Sequence, residues 1–221
     1  MAKTPFELRN EVLAQRVVKN LQRRAFDACY CATKEEALEK ALSLIEKEQC
    51  VSWGGSMTLE EMGLLETLRT QGYNIIDRDT AKSQEERLEL LRKALTCDTY
   101  FMSTNAMSED GVMVNIDGTG NRVAAMLFGP KKVLVFAGCN KIVRDIDDAA
   151  KRVKSCATPA NAMRLNLDTP CTHGACPGTD GELCAGCRSE NRICAMYTVL
   201  ARQRVKGRIP VSYTHLTLPT I

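Results

Sequence analysis

Five of the chain's eleven cysteines lie within 24 residues, "CTHGACPGTDGELCAGCRSENRIC" at 171–194. Thiols at this density can form disulfides, hold zinc, hold an iron–sulfur cluster, or simply pack. A C-x2-C step, here Cys184 and Cys187, lets two sulfurs from one tight turn reach a single metal while remote cysteines complete the shell. A four-iron cluster takes four thiolates with looser spacing. Gly174, Gly178, Gly181 and Gly186 give the segment the freedom to wrap a metal, and His173 is the one histidine beside it. The odd cysteine count and the absence of an apolar core in "MAKTPFELRNEVLAQRV" lead us to expect a cytoplasmic chain with reduced thiols, which disfavours disulfides. The other six cysteines, at 29, 31, 50, 97, 139 and 156, read as core packing, with Cys139 nearest a candidate cleft.

Three loops carry further chemistry. "SWGGSMTLEEMG" (52–63) reads as strand, small-residue loop and helix start, a junction whose backbone N–H groups suit an anion. Gly54, Gly55, Ser56 and Thr58 are its candidate ligands, although it matches neither G-x-G-x-x-G nor the Walker pattern. "NAMSEDGVMVNIDGTGNRV" (105–123) gathers Asn105, Glu109, Asp110, Asn115, Asp117, Asn121 and Arg122 around Gly111, Gly118 and Gly120. Two polar hairpin turns, the second locked by an Asp117–Arg122 pair, would account for much of it. "FGPKKVLVFAGCNKIV" (128–143) sets Gly138, Asn140 and Lys141 past the carboxyl end of a buried strand, the edge where open α/β sheets bind ligands.

The elements that must position these loops alternate in period. Helical spacing runs over 5–26, then from a capping box at Thr33 and Glu36, from another at Thr58 and Glu61 to about Thr70, and from a third at Ser83 and Glu86. Between them, "DACYC", "CVSW", "YNIID" and "TYFMS" read as strands. "GVMVNI" and "RVAAMLF" read as strands around Asp-Gly turns, and "KVLVFAG" as a strand buried on both faces. Helical period returns from Arg144 to about Lys154 and near Pro159. The expectation is an α/β fold with a mostly parallel sheet flanked by helices and an appended cysteine-rich arm. At 221 residues, one domain would bury roughly 70% of its unfolded surface. A formal charge of +3 without a basic block gives no nucleic-acid footprint, and no apolar run approaches the roughly 20 residues that span a bilayer. Residues 211–216, "VSYTHL", look like the translation of a transposon-end adapter used in sequencing libraries. We therefore expect a non-native tail over 211–221, with a genuine Thr-rich strand as the alternative.

Taken in order, "VSWGGSMTLEEMGL", "NAMSEDGVMVNIDGTGNRVAAMLFGPKKVLVFAGCNKIV", "PANAMRLN" and the "TPC…CAGC…RIC" arm resemble the LUD (lactate utilization) domain family over about residues 5–210. The resemblance implies a NagB/RpiA/CoA-transferase-like fold, with the α/β domain over 1–168, the metal-binding arm over 169–196 and the end of the domain over 197–210. It implies that "GGSMT" is the anion loop and that Asn105, Glu109, Asp117, Gly118, Asn121, Arg122, Gly138, Asn140 and Lys141 line the same cleft. It further implies Cys171, Cys184, Cys187 and Cys194 as metal ligands, with Cys176 an additional possibility in a stretch longer than the usual pattern. The associated function is oxidation of L-lactate, or a related 2-hydroxy acid, to pyruvate alongside iron–sulfur partner proteins. A 4Fe-4S cluster is the expected cofactor and a small anionic metabolite the expected ligand. No catalytic residue is implied, and neither a dinucleotide fingerprint nor a cleft histidine is present for nicotinamide chemistry. Two competing classes stay open on sequence grounds. One is a non-catalytic metabolite-binding or regulatory module with a phosphate- or CoA-type cleft and structural zinc; the other is a transferase or isomerase using a carboxylate such as Glu109.

Overall fold

The computed structural model of the chain describes residues 4–178, 182 and 185–214, and its first helix starts where local chemistry dictates. Thr4 caps α1 (Pro5–Arg23) by accepting the Glu7 N–H, while the Glu7 carboxylate accepts the Thr4 N–H. Thr33 and Ser83 cap α2 (Lys34–Leu42) and α5 (Gln84–Ala94) in the expected way. The strands are β1 (Ala28–Cys31), β2 (Val51–Trp53), β3 (Ile75–Ile76), β4 (Thr99–Met102), β7 (Lys132–Gly138) and β10 (Val211–Thr214), and they form one six-stranded parallel sheet. Its order is β1-β10-β7-β4-β2-β3.

Period-2 alternation divides this sheet between two helical layers. On one face Tyr100, Met102, Val133, Val135 and Ala137 meet Leu13, Ala14, Val17 and Leu21 of α1 and Ala94 of α5. On the other, Trp53, Phe101, Leu134 and Phe136 meet α2, α3 (Met57–Glu61) and α4 (Leu64–Thr70). Each fully buried Leu or Phe on these faces contributes roughly 1.5–3 kcal/mol relative to exposure.

A second, mixed sheet was not evident from the periodicity. Its order is β8 (Ile142–Val143), β5 (Ala106–Ser108), β6 (Met113–Asp117) and β9 (Met196–Leu200). The Asp110-Gly111 step closes the expected β5–β6 hairpin, with Gly111 at φ 90°. The second Asp-Gly step does not make a hairpin. Asp117 Oδ1 accepts the N–H groups of Thr119 and Gly120, Gly120 takes φ 87°, and the chain enters α6 (Asn121–Phe128). "RVAAMLF" is therefore helix rather than strand, because Ala, Met and Leu favour helix and Val123, Ala125 and Met126 share its buried face.

The cap expected at Thr58 is also displaced. Ser56 occupies the N-cap position without a side-chain bond, and Gly63 at φ 72° divides the expected long helix into α3 and α4. The chain completes its helical layer with α7 (Ile146–Arg152), a π-turn over Val153–Ala157, and α8 (Thr158–Arg164). The boundary expected at 210 falls one residue before β10, whose Val211–Thr214 lie buried between β1 and β7. The remainder of the expected tail, His215 included, lies outside the described residues. No helix among the described residues is long and apolar enough to cross a membrane.

Candidate functional site

Parallel strands deliver their following loops to one edge of the sheet, and a cleft lined by them opens there. Behind β2 come Gly54–Ser56, behind β3 comes Arg78, behind β4 come Ser103–Asn105, and behind β7 comes Lys141. The β6–α6 turn adds Asp117–Arg122, α5 adds Arg87, and α8 adds Asn161 and Arg164. The cleft has a volume of about 240 Å³.

Arg122 holds the floor together. Its Nη1 donates to Ser103 O at 3.1 Å and Asn115 Oδ1 at 3.0 Å. Its Nη2 donates to Asn105 Oδ1 at 2.7 Å and Ile116 O at 2.6 Å, while Nε stands 3.7 Å from Asp117 Oδ2. Burial pulls its pKa below the usual guanidinium value, with Asp117 opposing. A cation so fully engaged ties the end of β4 to β6, and it has little left to offer a ligand.

The cations with free capacity stand opposite. Arg87 Nη1 donates to Arg78 O at 3.2 Å and to Asp79 Oδ1 at 3.1 Å, buttressing Arg78. Arg78 Nε lies 3.5 Å from Asp79 Oδ1, and Arg164 is steadied by Asn161 Oδ1 at 2.8 Å. The two glycines exist for these side chains. A Cβ at Gly55 would fall 2.8 Å from Arg78 Nη2, and one at Gly54 would fall 2.9 Å from Arg122 Cδ. Asp117 is the single carboxylate among the described lining residues, and the Ser56 hydroxyl is buried in the wall with no hydrogen-bond partner among them.

Lys141 lies under this rim, 3% exposed. Its Nζ reaches Ser103 Oγ at 2.7 Å and Thr58 Oγ1 at 3.0 Å. Burial, then the positive charges of Arg152 and Arg122, lower its pKa to about 7, with Glu61 opposing. Glu61 is itself pushed up by burial.

Of the thirteen expected ligand residues, eight line the cleft: Gly55, Ser56, Asn105, Asp117, Gly118, Asn121, Arg122 and Lys141. Thr58 and Gly54 support it from behind through Lys141 and Arg122. Glu109 does not join them. It pairs with Arg16 of α1 at 2.7 Å, and its backbone carbonyl accepts Asn20 Nδ2. Gly138 is buried in β7, and Asn140 is exposed with its carbonyl facing Arg152. Arg78, Arg87, Ser103, Asn161 and Arg164 were not foreseen. Arg78 follows a strand's carboxyl end, and Asn161 and Arg164 sit inside "PANAMRLN", so both signals were available.

None of the ten described cysteines is in a disulfide. Cys171 Sγ lies 3.1 Å from Thr169 Oγ1, and Cys194 Sγ accepts Arg192 Nε at 3.3 Å. Cys176 and Cys187 are half-buried, His173 pairs with Asp168, and Cys184 lies outside the described residues. Thiols of this kind suit a soft metal, yet among the described residues no three Cys, His, Asp or Glu side chains stand close enough to hold one ion. The arm does reach the cleft: Ile193 lines it, and a Cβ at Gly118 would fall 3.1 Å from Ile193 Cα. From the other side, Lys154 of the π-turn donates to Ala185 O and lies over the Tyr197 ring.

The sequence model of the LUD domain family matches residues 14–211. A solved DUF162 family protein from Deinococcus radiodurans is similar at a TM-score of 0.52, with 12% identity, covering 93% of this chain and 98% of that one. At this identity the likeness speaks for the fold. Ribose 5 phosphate isomerase A from Neisseria gonorrhoeae aligns at 0.34 and 15% identity, over 58% of this chain and 64% of its own. A D-ribose-5-phosphate isomerase in complex with phospho-erythronic acid aligns at 0.34 and 17%, over 50% and 53%. No curated protein matches the sequence.

Proposed function

The chain belongs to the LUD domain family, and on that premise we propose that its cleft binds a short 2-hydroxy acid in a lactate-utilization role. The reaction served is oxidation of L-lactate to pyruvate, releasing two protons to solvent and two electrons to iron–sulfur partner proteins. The observation that carries the reading is the rim of Arg78, Arg87 and Arg164 around Gly55 and Ser56, facing one carboxylate. A planar guanidinium matches a carboxylate through two parallel N–H donors, and a cleft this small suits a small anion. The anion contact rests on side chains, because α3 has only five residues and a short dipole.

The arm's ligand set, Cys171, Cys184, Cys187 and Cys194 with Cys176 as a possible fifth, is part of the same proposal. Support comes from the C-x2-C step and from the Arg192 N–H at the Cys194 sulfur, a contact of the type that tunes cluster thiolates. A bound cluster would supply one-electron chemistry. What the chain itself supplies is the arginine rim and the buried Ser56 hydroxyl beside it.

Calorimetric titration with L-lactate, pyruvate and inorganic phosphate tests the cleft. Arg78→Met and Arg164→Met should each weaken lactate or pyruvate binding by about tenfold, the loss of one charge-assisted hydrogen-bond pair. If phosphate alone binds, the lactate reading falls and the cleft belongs to a phosphate-recognising module. Anaerobic purification tests the arm separately: about four irons per chain is the expected result, and a single zinc would displace iron–sulfur from the proposal.

A further inference from the structure

A buried amine wedged between two hydroxyls is more than an anion site requires. Lys141 Nζ is 2.7 Å from Ser103 Oγ and 3.0 Å from Thr58 Oγ1, and both Ser103 and Lys141 line the cleft. Nucleophile, base and orienting group in one line is the arrangement that activates a serine, with lysine able to stand in for histidine. The parts come from three separate elements: the end of β4, the turn after β7 and the first turn of α3.

We propose that Ser103 is an acyl-accepting nucleophile, Lys141 its general base and Thr58 the residue that positions Lys141, giving the cleft an acyl-transfer activity toward small anionic acyl donors. The activity is independent of lactate oxidation and uses the same rim to hold the donor's negative charge. Ser103 Oγ attacks the acyl carbon as its proton passes to Lys141 Nζ. The tetrahedral adduct collapses, the leaving group takes that proton from Lys141, and an acyl-serine ester remains. Water, deprotonated by Lys141, then releases the acid and restores Ser103. No oxidant or metal enters the balance. Ser56, with its hydroxyl buried and unpartnered among the described residues, offers a donor for the oxyanion in the same wall.

The surroundings keep the base competent. The Ser103 hydroxyl has no carboxylate in hydrogen-bond contact among the described residues; besides Lys141 it makes one long contact, 3.5 Å, to Thr104 O. The charged groups facing Lys141 are Arg122 of α6, Arg152 of α7 and Glu61 of α3. Burial and the two arginines place its titration at about 7, with Glu61 opposing, so the free amine is available at neutral pH.

Acetyl phosphate is the probe, with p-nitrophenyl acetate as an uncharged comparison, and intact-mass and peptide mass spectrometry locate the acetyl group. The expected result is one acetyl on Ser103, formed faster from acetyl phosphate. Its rate should rise about tenfold per pH unit up to about pH 7 and then level, as a base of that pKa dictates. Ser103→Ala should abolish the label. Lys141→Met should slow it by on the order of 10²–10⁴, the usual weight of a general base. Thr58→Val should move the pH midpoint while Ser103 remains the labelled residue. Acetyl on Lys141 itself, or a parent protein that neither carries a cleft acetyl nor speeds acetate release from acetyl phosphate, overturns the proposal, and the parent protein alone decides it if a variant fails to fold. Lactate titration of the same samples tests the 2-hydroxy acid reading independently, since it needs neither Ser103 nor acyl chemistry.

Discussion

Lys141 makes stability depend on pH in a window set by its burial. The unfolded side chain holds its proton up to about 10.5, whereas the folded one gives it up near 7. Between those values the unfolded chain binds the extra proton, so raising the pH favours the folded state. Lys141→Met should remove that gain, leaving a flatter urea-midpoint profile than the parent's, which rises from about pH 7 to 10. An unchanged profile would place the titration elsewhere. Neighbouring glycines separate support from recognition. Gly54→Ala drives a Cβ into Arg122 Cδ, part of a side chain anchored by four hydrogen bonds, and should destabilise the fold by about 1–3 kcal/mol. Gly55→Ala crowds the end of the Arg78 guanidinium, which can swing aside, and makes an ordinary contact with Arg164 Nη2. Its expected signature is a near-normal melting curve with weakened anion binding by calorimetry.

At the scale of elements, the β6–α6 junction shows where charge and turn geometry combine. Asp117 holds two backbone N–H groups with one oxygen and faces Arg122 with the other. Asp117→Asn keeps the turn's acceptor and removes the counter-charge; Asp117→Ala loses both, and should cost about 1–2 kcal/mol more, the scale of a lost helix cap. Urea unfolding of the pair measures the difference. The same junction marks a limit of sequence reasoning. An Asp-Gly step announces a turn without fixing the type of the next element, and one β-branched residue in "RVAAMLF" was weak support for a strand. Strong local chemistry was legible: Thr33 and Ser83 cap their helices, and "KVLVFAG" is β7 to the residue. Thr58 misled because its hydroxyl is taken by a lysine 83 positions away, a contact no local pattern encodes. Glu109 misled for a related reason: its position beside a turn was clear, but the arginine that claims it belongs to α1, far away in the chain. The glycine-rich loop lies at the cleft, and its glycines answer to something only the packing reveals, the width of two arginine side chains.

The whole molecule joins a three-layer α/β body to a small mixed sheet, and the cleft lies where loops of both meet. Membership of the family and the parallel core were readable from motif order. The second sheet was not, because β9 pairs with β6 across a long stretch of chain, Asp117 with Met196, and strands of two to five residues leave little periodic signal. At the edge of that sheet, Gly118 lets the peptide at Ile193 press against the β6 turn. Ile193 therefore faces the cleft while Cys194, the next residue, is packed with Ala106, Val114, Ile116, Ala149 and Val153. Any coupling between cleft occupancy and the chemical state of that sulfur would run through these two adjacent residues. If a ligand binds better when the thiol is altered, its binding must favour the alteration by the same factor, and each can be titrated to report on the other.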